Sequence, residues 1–272
     1  MVRSLWTAAT GMRAQQTNVD TIANNLANVN TTGYKTEVNE FKSLLYQTIQ
    51  TKTTSANGEN KPVGAQVGLG VRNASITSIF TDGALLASES PSAFAISGNG
   101  LFAVRGEDGN TYYTRNGNFN WALNTEGGIT LTTSDGLPVL DSEGKPIAFG
   151  KEYMASKMYI SGDGQFCYPD ESNNPVPLGI TFGIVQFNNP AGLEKLDSGL
   201  FSQSAASGAP INEATSTGIT KSKITQGYLE GSNVQVVDEM VNLITAQRAY
   251  ELNSKAITAS DEMLRQANNL RQ

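Results

Sequence analysis

The residues of this chain that could perform catalysis are carboxylates, because there is no histidine and only one cysteine. The lack of histidine excludes Ser-His-Asp and Cys-His nucleophiles, histidine-ligated metals and the usual near-neutral proton shuttle. Two carboxylates can still cleave a glycosidic bond, so a cell-wall glycosidase remains open. Four aspartates precede glycine: Asp82, Asp108, Asp135 and Asp163. Since Asp-Gly is a turn signal, we favour a structural role for them.

The remaining motifs are weaker indications of a ligand site. The stretch from Gly64 to Gly70 lacks the Gly-Lys-Ser/Thr ending of a phosphate loop and is interpreted as a bend. Asp163 to Asp170 lacks the ligand spacing of an EF-hand. Cys167 has no neighbouring base or cation and is interpreted as a buried, inert thiol.

One aromatic group resembles a stacking platform for nucleic acid. Its members are Tyr112, Tyr113, Phe119 and Trp121. The net charge of −6 repels phosphate backbones, so we assign these rings to the core or to subunit contacts. We predict a non-enzyme with no catalytic, cofactor or metal site, no nucleic-acid partner and no membrane insertion.

The N-terminal part of the chain has the pattern of a helix. From Val2 to Val29 there is one glycine and no proline, and apolar residues recur every seven positions. This row is Leu5, Met12, Val19 and Leu26, flanked by Ile22. The helix is predicted to end at Asn30 to Gly33, where glycine supplies a left-handed cap.

The C-terminal part has the same pattern. Ser232 and Gln235 form a capping-box signal, and no glycine or proline follows as far as Gln272. The seven-residue row is Val236, Leu243, Tyr250, Ile257 and Leu264, with an adjoining row of Ala249, Ala256, Met263 and Leu270. Two heptad helices at opposite ends of one chain are predicted to pair as a coiled coil.

The middle of the chain is predicted to be an inserted all-β domain. Short β-prone runs alternate with turn dipeptides. The runs are Ala93 to Ile96, Leu101 to Val104, Thr111 to Thr114, Ile129 to Thr132 and Ile180 to Phe187. The fold class is therefore α+β. The predicted division is an N-terminal helix at 1–34, an extended connector at 35–70, the β domain at 71–228 and a C-terminal helix at 229–272.

The first helix lacks a charged face. Only three charged residues lie between Val2 and Val29, and asparagine and glutamine occupy the positions that face water in ordinary surface helices. We infer that neighbouring copies bury both faces, with Asn25 and Asn28 among the residues that bond across subunits. Asparagine is a poor helix former, so the termini are expected to become helical on assembly.

Both ends also carry a family resemblance. The run from Ala23 to Lys35 (ANNLANVNTTGYK) and the run from Glu239 to Lys255 (EMVNLITAQRAYELNSK) resemble the two signatures of the bacterial flagellar axial proteins, the rod and hook family. The segments Gly98 to Val104 and Tyr113 to Phe119 are similar to that family's β-domain core. The likeness is strongest to the distal rod members and covers essentially the whole chain.

The resemblance implies a structural subunit of the distal rod. Such a subunit polymerises helically into a hollow, rigid drive shaft that transmits torque to the hook and serves as an export channel. The implied partners are further copies, proximal rod proteins, the hook or its junction, ring bushing proteins where an outer membrane exists, and the flagellar type III export apparatus. The implied location is the basal-body rod outside the cytoplasmic membrane, reached without a cleaved signal. The connector Thr51 to Pro62 is implied to keep the rod straight.

The residues expected to pack the inner helical layer of such a polymer are Leu5, Met12, Val19, Ile22, Asn25, Leu26, Asn28, Leu243, Tyr250, Ile257 and Leu264. Alternatives within the family are a hook or a proximal-rod protein. From other classes, a secreted coiled-coil adhesin and the glycosidase remain open.

Overall fold

The protein is described from a computed structural model that defines residues 2–50, 64–124, 127–170 and 174–270. The proposed straightness connector, Thr51 to Pro62, lies outside these described residues. Helices occupy both ends of the described chain and β-strands its middle, which confirms the α+β class. The chain divides into two compact units. The first, the helical unit, combines Met1–Ala27, Glu37–Thr77 and Gln235–Gln272, and the second, the β unit, combines Asn28–Thr36 and Ser78–Val234.

The helical unit contains α1 (Val2–Ala27) and α2 (Val236–Asn269) with four strands. The strands are β1 (Glu37–Ser43), β2 (Tyr46–Gln50), β3 (Ala65–Gly68) and β4 (Val71–Ser78). β1 pairs with β4, and β2 pairs antiparallel with β3. These strands cover much of the region predicted as connector, and the stretch interpreted as a bend contains β3. The four-part domain division stays a prediction.

Both helix boundaries differ from the sequence-based prediction. α1 ends at Ala27, and Gly33, although left-handed at φ +72°, donates its N–H to the Glu230 carbonyl 2.9 Å away instead of capping the helix. α2 begins at Val236, and Gln235 occupies the N-cap position without a side-chain capping bond. The predicted capping box between Ser232 and Gln235 therefore does not form. The Ser232 hydroxyl instead accepts from the Val234 N–H at 3.3 Å. Both predicted capping groups are thus used elsewhere, Gly33 in a long-range bond to Glu230 and Ser232 in a contact with Val234.

The β unit contains sixteen strands within its described residues. They are β5 (Leu85–Ala87), β6 (Phe94–Ser97), β7 (Leu101–Arg105), β8 (Thr111–Thr114), β9 (Asn120–Leu123), β10 (Ile129–Thr132), β11 (Ala148–Phe149), β12 (Tyr159–Ile160), β13 (Gln165–Pro169), β14 (Pro175–Thr181), β15 (Ile184–Gln186), β16 (Glu194–Lys195), β17 (Leu200–Ser202), β18 (Ile211–Asn212), β19 (Lys223–Gln226) and β20 (Tyr228–Glu230). Short 3-10 helices occupy Ala155–Lys157, Pro190–Gly192 and Asp197–Gly199.

The strands of the β unit form one large and several small antiparallel sheets. The large sheet has the order β16-β17-β8-β7-β15-β18. The smaller sheets are β11-β10-β9, β12-β13-β14, β19-β6 and β20-β5. The run predicted as one strand from Ile180 to Phe187 breaks at Phe182 and Gly183, because Gly183 packs against the Asp141 carbonyl where a side chain would collide.

The core of the β unit is a cluster of phenylalanine rings. Phe94, Phe102, Phe119 and Phe166 are fully buried. Phe182 lies among them, with its ring centroid 4.8 Å from that of Phe166 and 5.2 Å from that of Phe94. Edge-to-face and tilted ring pairs add to the free energy gained by burying their apolar area. The core assignment of the aromatic group is confirmed for Phe119 and Tyr113.

Three of the four Asp-Gly pairs form the predicted turns. The glycines that follow Asp108, Asp135 and Asp163 have φ values of +80°, +84° and +79°. Asp82 is different, since its carboxylate accepts from Arg115 at 3.0 Å and from the Gly98 N–H at 3.0 Å. The turn prediction for Asp82 was wrong because a buried guanidinium competes for its carboxylate. Cys167 is buried, as predicted.

Candidate assembly interface

The inward side of α2 follows a heptad repeat. Its less exposed residues recur at spacings of three and four and include Glu239, Leu243, Ala246, Ala249, Asn253, Ile257, Ser260 and Leu264. This period is typical of a helix that packs along a partner helix. Three members of the row, Glu239, Asn253 and Ser260, are polar. Tyr250 of the predicted heptad row is exposed, as are Met263 and Leu270 of the predicted adjoining row, whereas Ala249 is partly buried.

Small residues let α1 and α2 approach closely. A Cβ on Gly11 would lie 2.9 Å from the Asn253 side-chain nitrogen, so a larger residue there would displace the Asn253 amide. The hydroxyls of Ser4 and Ser260 lie 3.3 Å apart and form a hydrogen bond. The seam between the helices therefore combines heptad spacing with small and polar contacts.

The predicted packing residues differ in their burial within one chain. Ile22 and Asn25 are buried, Tyr250 is exposed, and Leu5, Met12, Val19, Leu26, Asn28, Leu243, Ile257 and Leu264 are partly buried. Asn28 lies beyond α1 and belongs to the β unit. Packing of these residues between copies stays a prediction.

Asn25 has a role inside its own chain that sequence reasoning missed. Its side-chain amide donates to the Glu37 carbonyl at 2.8 Å, and its oxygen accepts from the Glu37 N–H at 2.9 Å. The amide thus pairs with the backbone where β1 begins, as a neighbouring strand would. An asparagine near a helix end, followed ten to twelve residues later by a strand, is the only sequence signal for this contact.

The outward side of α2 carries apolar side chains that the described residues of its unit leave exposed. They are Val237, Val241, Ile244, Leu252 and Met263, each at least half exposed. At about 100° per residue these positions lie on the side of α2 opposite the heptad row. A helix with two opposed apolar faces needs a partner on each.

The β unit contains a buried ion network that the sequence analysis did not predict. The Lys35 ammonium donates to Glu230 Oε1 at 2.6 Å, and Arg115 Nε donates to Glu230 Oε2 at 2.7 Å. The three side chains are at most 3% exposed. Arg115 also donates to Asp82 and to the carbonyls of Gly98 and Gly100. These bonds satisfy a charge cluster that would otherwise be costly to bury.

The network sits where the chain enters and leaves the β unit. The Thr32 hydroxyl donates to Asn116 at 2.9 Å, and a Cβ on Gly33 would lie 2.7 Å from the Asn116 nitrogen. The Thr36 N–H donates to the Asn233 side-chain oxygen at 2.7 Å. The second half of the N-terminal signature, from Thr31 to Lys35, is thus fitted against the β unit. The only signal for these contacts in the sequence is a lone lysine, Lys35, in an otherwise uncharged run.

The charges of the network shift one another's proton affinity. Burial raises the pKa of the Glu230 carboxyl, but the hydrogen bonds and charge of Arg115, with the charge of Lys35, outweigh burial and hold that pKa below its usual range. Burial and the Arg115 charge lower the pKa of the Lys35 ammonium, against the opposing pull of Glu230. The Glu230 carboxyl is therefore ionised at neutral pH.

The described residues contain no group of three or more cysteine, aspartate or glutamate side chains positioned to hold a metal ion. No helix in the described part of the chain is long and apolar enough to cross a membrane.

The chain is similar over its whole length to proteins of a known family. Family models match residues 5–35 (Flagella basal body rod protein), 95–168 (Flagellar hook protein FlgE/F/G D1 domain) and 225–270 (Flagellar basal body rod FlgEFG protein C-terminal). The chain is 45% identical to the flagellar basal-body rod protein FlgG of Borreliella burgdorferi, over all of this chain and 99% of the relative. The chain belongs to the FlgG family of flagellar rod proteins.

Two further rod proteins support the assignment. FlgG of Agrobacterium fabrum is 44% identical over 96% of this chain and 97% of its own length. FlgG of Buchnera aphidicola from Acyrthosiphon pisum is 39% identical over 99% of this chain and all of its own. The chain is a structural subunit of the flagellar basal-body rod, and its family is structural rather than enzymatic. The matched ranges include Lys35, Arg115 and Glu230 of the ion network.

Proposed function

We propose that this rod subunit forms the distal rod by helical self-assembly through its helical unit. Neighbouring copies cover the outward face of α2, and the paired helices form a coiled-coil layer that lines a hollow tube. The β unit is an inserted domain carried on that layer. The observation that carries the proposal is the row of exposed apolar residues opposite the heptad row on α2.

Assembly of this kind uses heterologous contacts, in which one surface of a copy meets a different surface of the next and the series does not close. A tube built in this way is a rigid shaft. It transmits motor torque to the hook, and its bore is the channel through which distal subunits are exported. Its end neighbours are proximal rod proteins on one side and the hook or its junction on the other. Ring bushing proteins surround it where an outer membrane exists.

Export through the flagellar type III apparatus is part of the proposal. The single cysteine forms no intrachain disulfide, so nothing covalent opposes threading an unfolded chain. The polar helix α1, with its many asparagines, suits a segment that becomes ordered only on assembly. Higher helix content in the polymer than in the soluble monomer, by circular dichroism, is the expected result, and equal content would contradict ordering on assembly.

The decisive test places a charge on the exposed face of α2. Leu252 is 65% exposed, so Leu252→Asp leaves the monomer folded but puts a carboxylate into the subunit contact. We expect a loss of about 2 kcal/mol or more per contact, and therefore no rods by electron microscopy. Leu123→Asp, at an 82% exposed leucine of the β unit, is the matched control and should assemble. Normal rods from the Leu252 variant would refute the proposal.

A second variant tests the residues expected to pack the inner helical layer of the polymer. Leu26→Asp should leave the β unit folded, because Leu26 belongs to the helical unit, and should abolish assembly. Near-ultraviolet circular dichroism checks the β unit, and sedimentation measures the polymer. Assembly of this variant at normal efficiency would remove Leu26 from the proposed packing set.

A further inference from the structure

A polar pocket lies inside the helical unit where α1, β1 and α2 meet. Its volume is near 330 Å³. Among its lining residues are Gln15, Ile22, Glu37, Asn39, Glu239 and Asn242. We call it the anionic pocket, because two carboxylates line it and none of its described lining residues is a lysine or arginine.

Several buried polar atoms of the anionic pocket have no hydrogen-bond partner among the described residues. They are Glu239 Oε2, both side-chain amide atoms of Asn39, and Gln15 Oε1. Glu239 and Asn39 are each only 8% exposed, so bulk water reaches them poorly. A buried polar group without a partner is costly, and a fold normally satisfies it. Three of these four atoms are acceptors, so the missing partner is above all a donor.

A guanidinium group is complementary to the anionic pocket. A cation is the natural partner of the Glu239 carboxylate, and the additional acceptors are best satisfied by several N–H groups presented together. Arginine offers five donors in a planar fork on a long stem, while lysine offers a more strongly hydrated point charge. An arginine side chain therefore offers donors for the acceptors of Glu239 and Gln15, which line the same pocket, and its entry also excludes water from Asn39.

The same unit carries the complementary charge on another side of α1. A groove of volume near 350 Å³ is lined by Arg13 and Arg72 with Thr10 and Asn73, and none of its described lining residues is acidic. Arg13 is exposed and forms no ion pair within the described residues. At about 100° per residue, Gln15 and Ile22 lie about 180–200° around α1 from Arg13, so the cation and the anionic pocket point in roughly opposite directions.

We propose that the Arg13 side chain of one copy enters the anionic pocket of the next copy and pairs with Glu239. The inference rests on the proposed self-assembly and specifies one contact within it. Because donor and pocket lie on different sides of one unit, the contact is heterologous and repeats from copy to copy. The buried pair fixes the register between neighbours, since a slipped neighbour leaves Glu239 buried without a cation.

Cross-linking tests which residues meet. In full-length chains carrying Cys167→Ser, the substitutions Arg13→Cys and Asn242→Cys place thiols on the donor helix and at the rim of the pocket. Assembled rods are treated with a short bis-maleimide about as long as an arginine side chain. A repeating heterologous contact gives a ladder of linked oligomers on a denaturing gel. Arg3→Cys with Asn242→Cys is the control, because Arg3 is ten residues away on another side of α1, and it should give none.

Charge-neutral variants test the energetics independently. Arg13→Gln and Glu239→Gln should each lower the assembly equilibrium by about thirtyfold or more, since each leaves the other group buried without its partner. The double variant should be no worse than either single variant, because both lose the same contact. Arg3→Gln should assemble normally. Sedimentation at a series of protein concentrations measures all four.

The outcomes separate this inference from the proposed function. Rods that form in every variant, with no ladder of cross-linked oligomers, overturn the Arg13 contact but leave the self-assembly proposal standing. The unpartnered polar atoms of the anionic pocket would then be assigned to bound water. Rods that weaken with Arg72→Gln but not with Arg13→Gln also overturn it, because the occupant is then Arg72. A wild-type chain that forms no rods refutes the self-assembly on which the inference rests.

Discussion

The two units of this chain differ in the residues that fill their interiors. The β unit buries a cluster of phenylalanine rings and pairs its buried charges with one another. The helical unit puts glycine, serine, alanine and asparagine at its seam and leaves apolar side chains exposed. The β unit therefore satisfies its interior within a single chain, whereas the helical unit keeps exposed apolar side chains that the proposed assembly would cover.

The largest expected effect of a single substitution lies in the ring cluster. Phe102 is fully buried, with its ring centroid 5.0 Å from that of Phe119 and 5.3 Å from that of Phe182. Phe102→Ala should lower the free energy of unfolding of the β unit by about 3–5 kcal/mol. The chain has two tryptophans, so in a Trp6→Phe background the fluorescence of Trp121, which packs on this core, reports that unit. A loss below about 1 kcal/mol would contradict a self-sufficient β unit.

Breaking the ion network comes next. Glu230→Gln removes the charge that Lys35 and Arg115 share and leaves two buried cations facing each other. We expect a loss of about 3 kcal/mol in the unfolding free energy, by the same fluorescence measurement. The exposed pair between Glu143 and Lys145 is the control, and Glu143→Gln should cost less than about 1 kcal/mol.

Acid should weaken the same network. Because the folded pKa of Glu230 is held below its unfolded value, folding releases a proton from this carboxyl. Its contribution to stability is complete above about pH 4.3 and is lost as pH falls through the lowered folded pKa. Unfolding free energy measured against pH should show this acid step, and the Glu230→Gln variant should lack it. An equal acid step in both proteins would show that other carboxyls cause it.

The smallest of the four effects is expected in the helical unit. Asn25→Ala removes two hydrogen bonds and leaves the Glu37 N–H and carbonyl without that partner. The expected loss is about 1–3 kcal/mol, read from the thermal loss of helical ellipticity in assembled rods. Gln16→Ala, at an exposed position of the same helix, should change it by less than about 0.5 kcal/mol. An effect as large as that of Phe102→Ala would mean that the helical unit is not the weaker one.

The sequence predicted what depends on local pattern. Heptad spacing located both helices, Asp-Gly pairs located three of four turns, and β-prone runs located β6, β7, β8 and β10 in the β unit. The run from Ile129 to Thr132 matches β10 at both ends. The inward placement of Leu243, Ile257 and Leu264 also followed from period alone.

What the sequence did not predict depends on distant contacts. Nothing near Asp82 shows that Arg115 reaches its carboxylate, and nothing near Gly33 shows that Asn116 packs against it. The capping box at Ser232 is a good local signal that the folded chain does not use. The same limit hid the anionic pocket, since Asn39 and Glu239 are 200 positions apart and ordinary in their own surroundings.

The pairing of Lys35 with Glu230 also bears on the order of folding. The two residues are separated by 195 positions, so their contact closes a very long loop, and such contacts form late because the entropy of closure is lost before the contact stabilises anything. In the export route proposed above, a chain that emerges one end first cannot form this ion pair until both residues have passed. A subunit truncated before Glu230 would lack the carboxylate and could not form the pair at all.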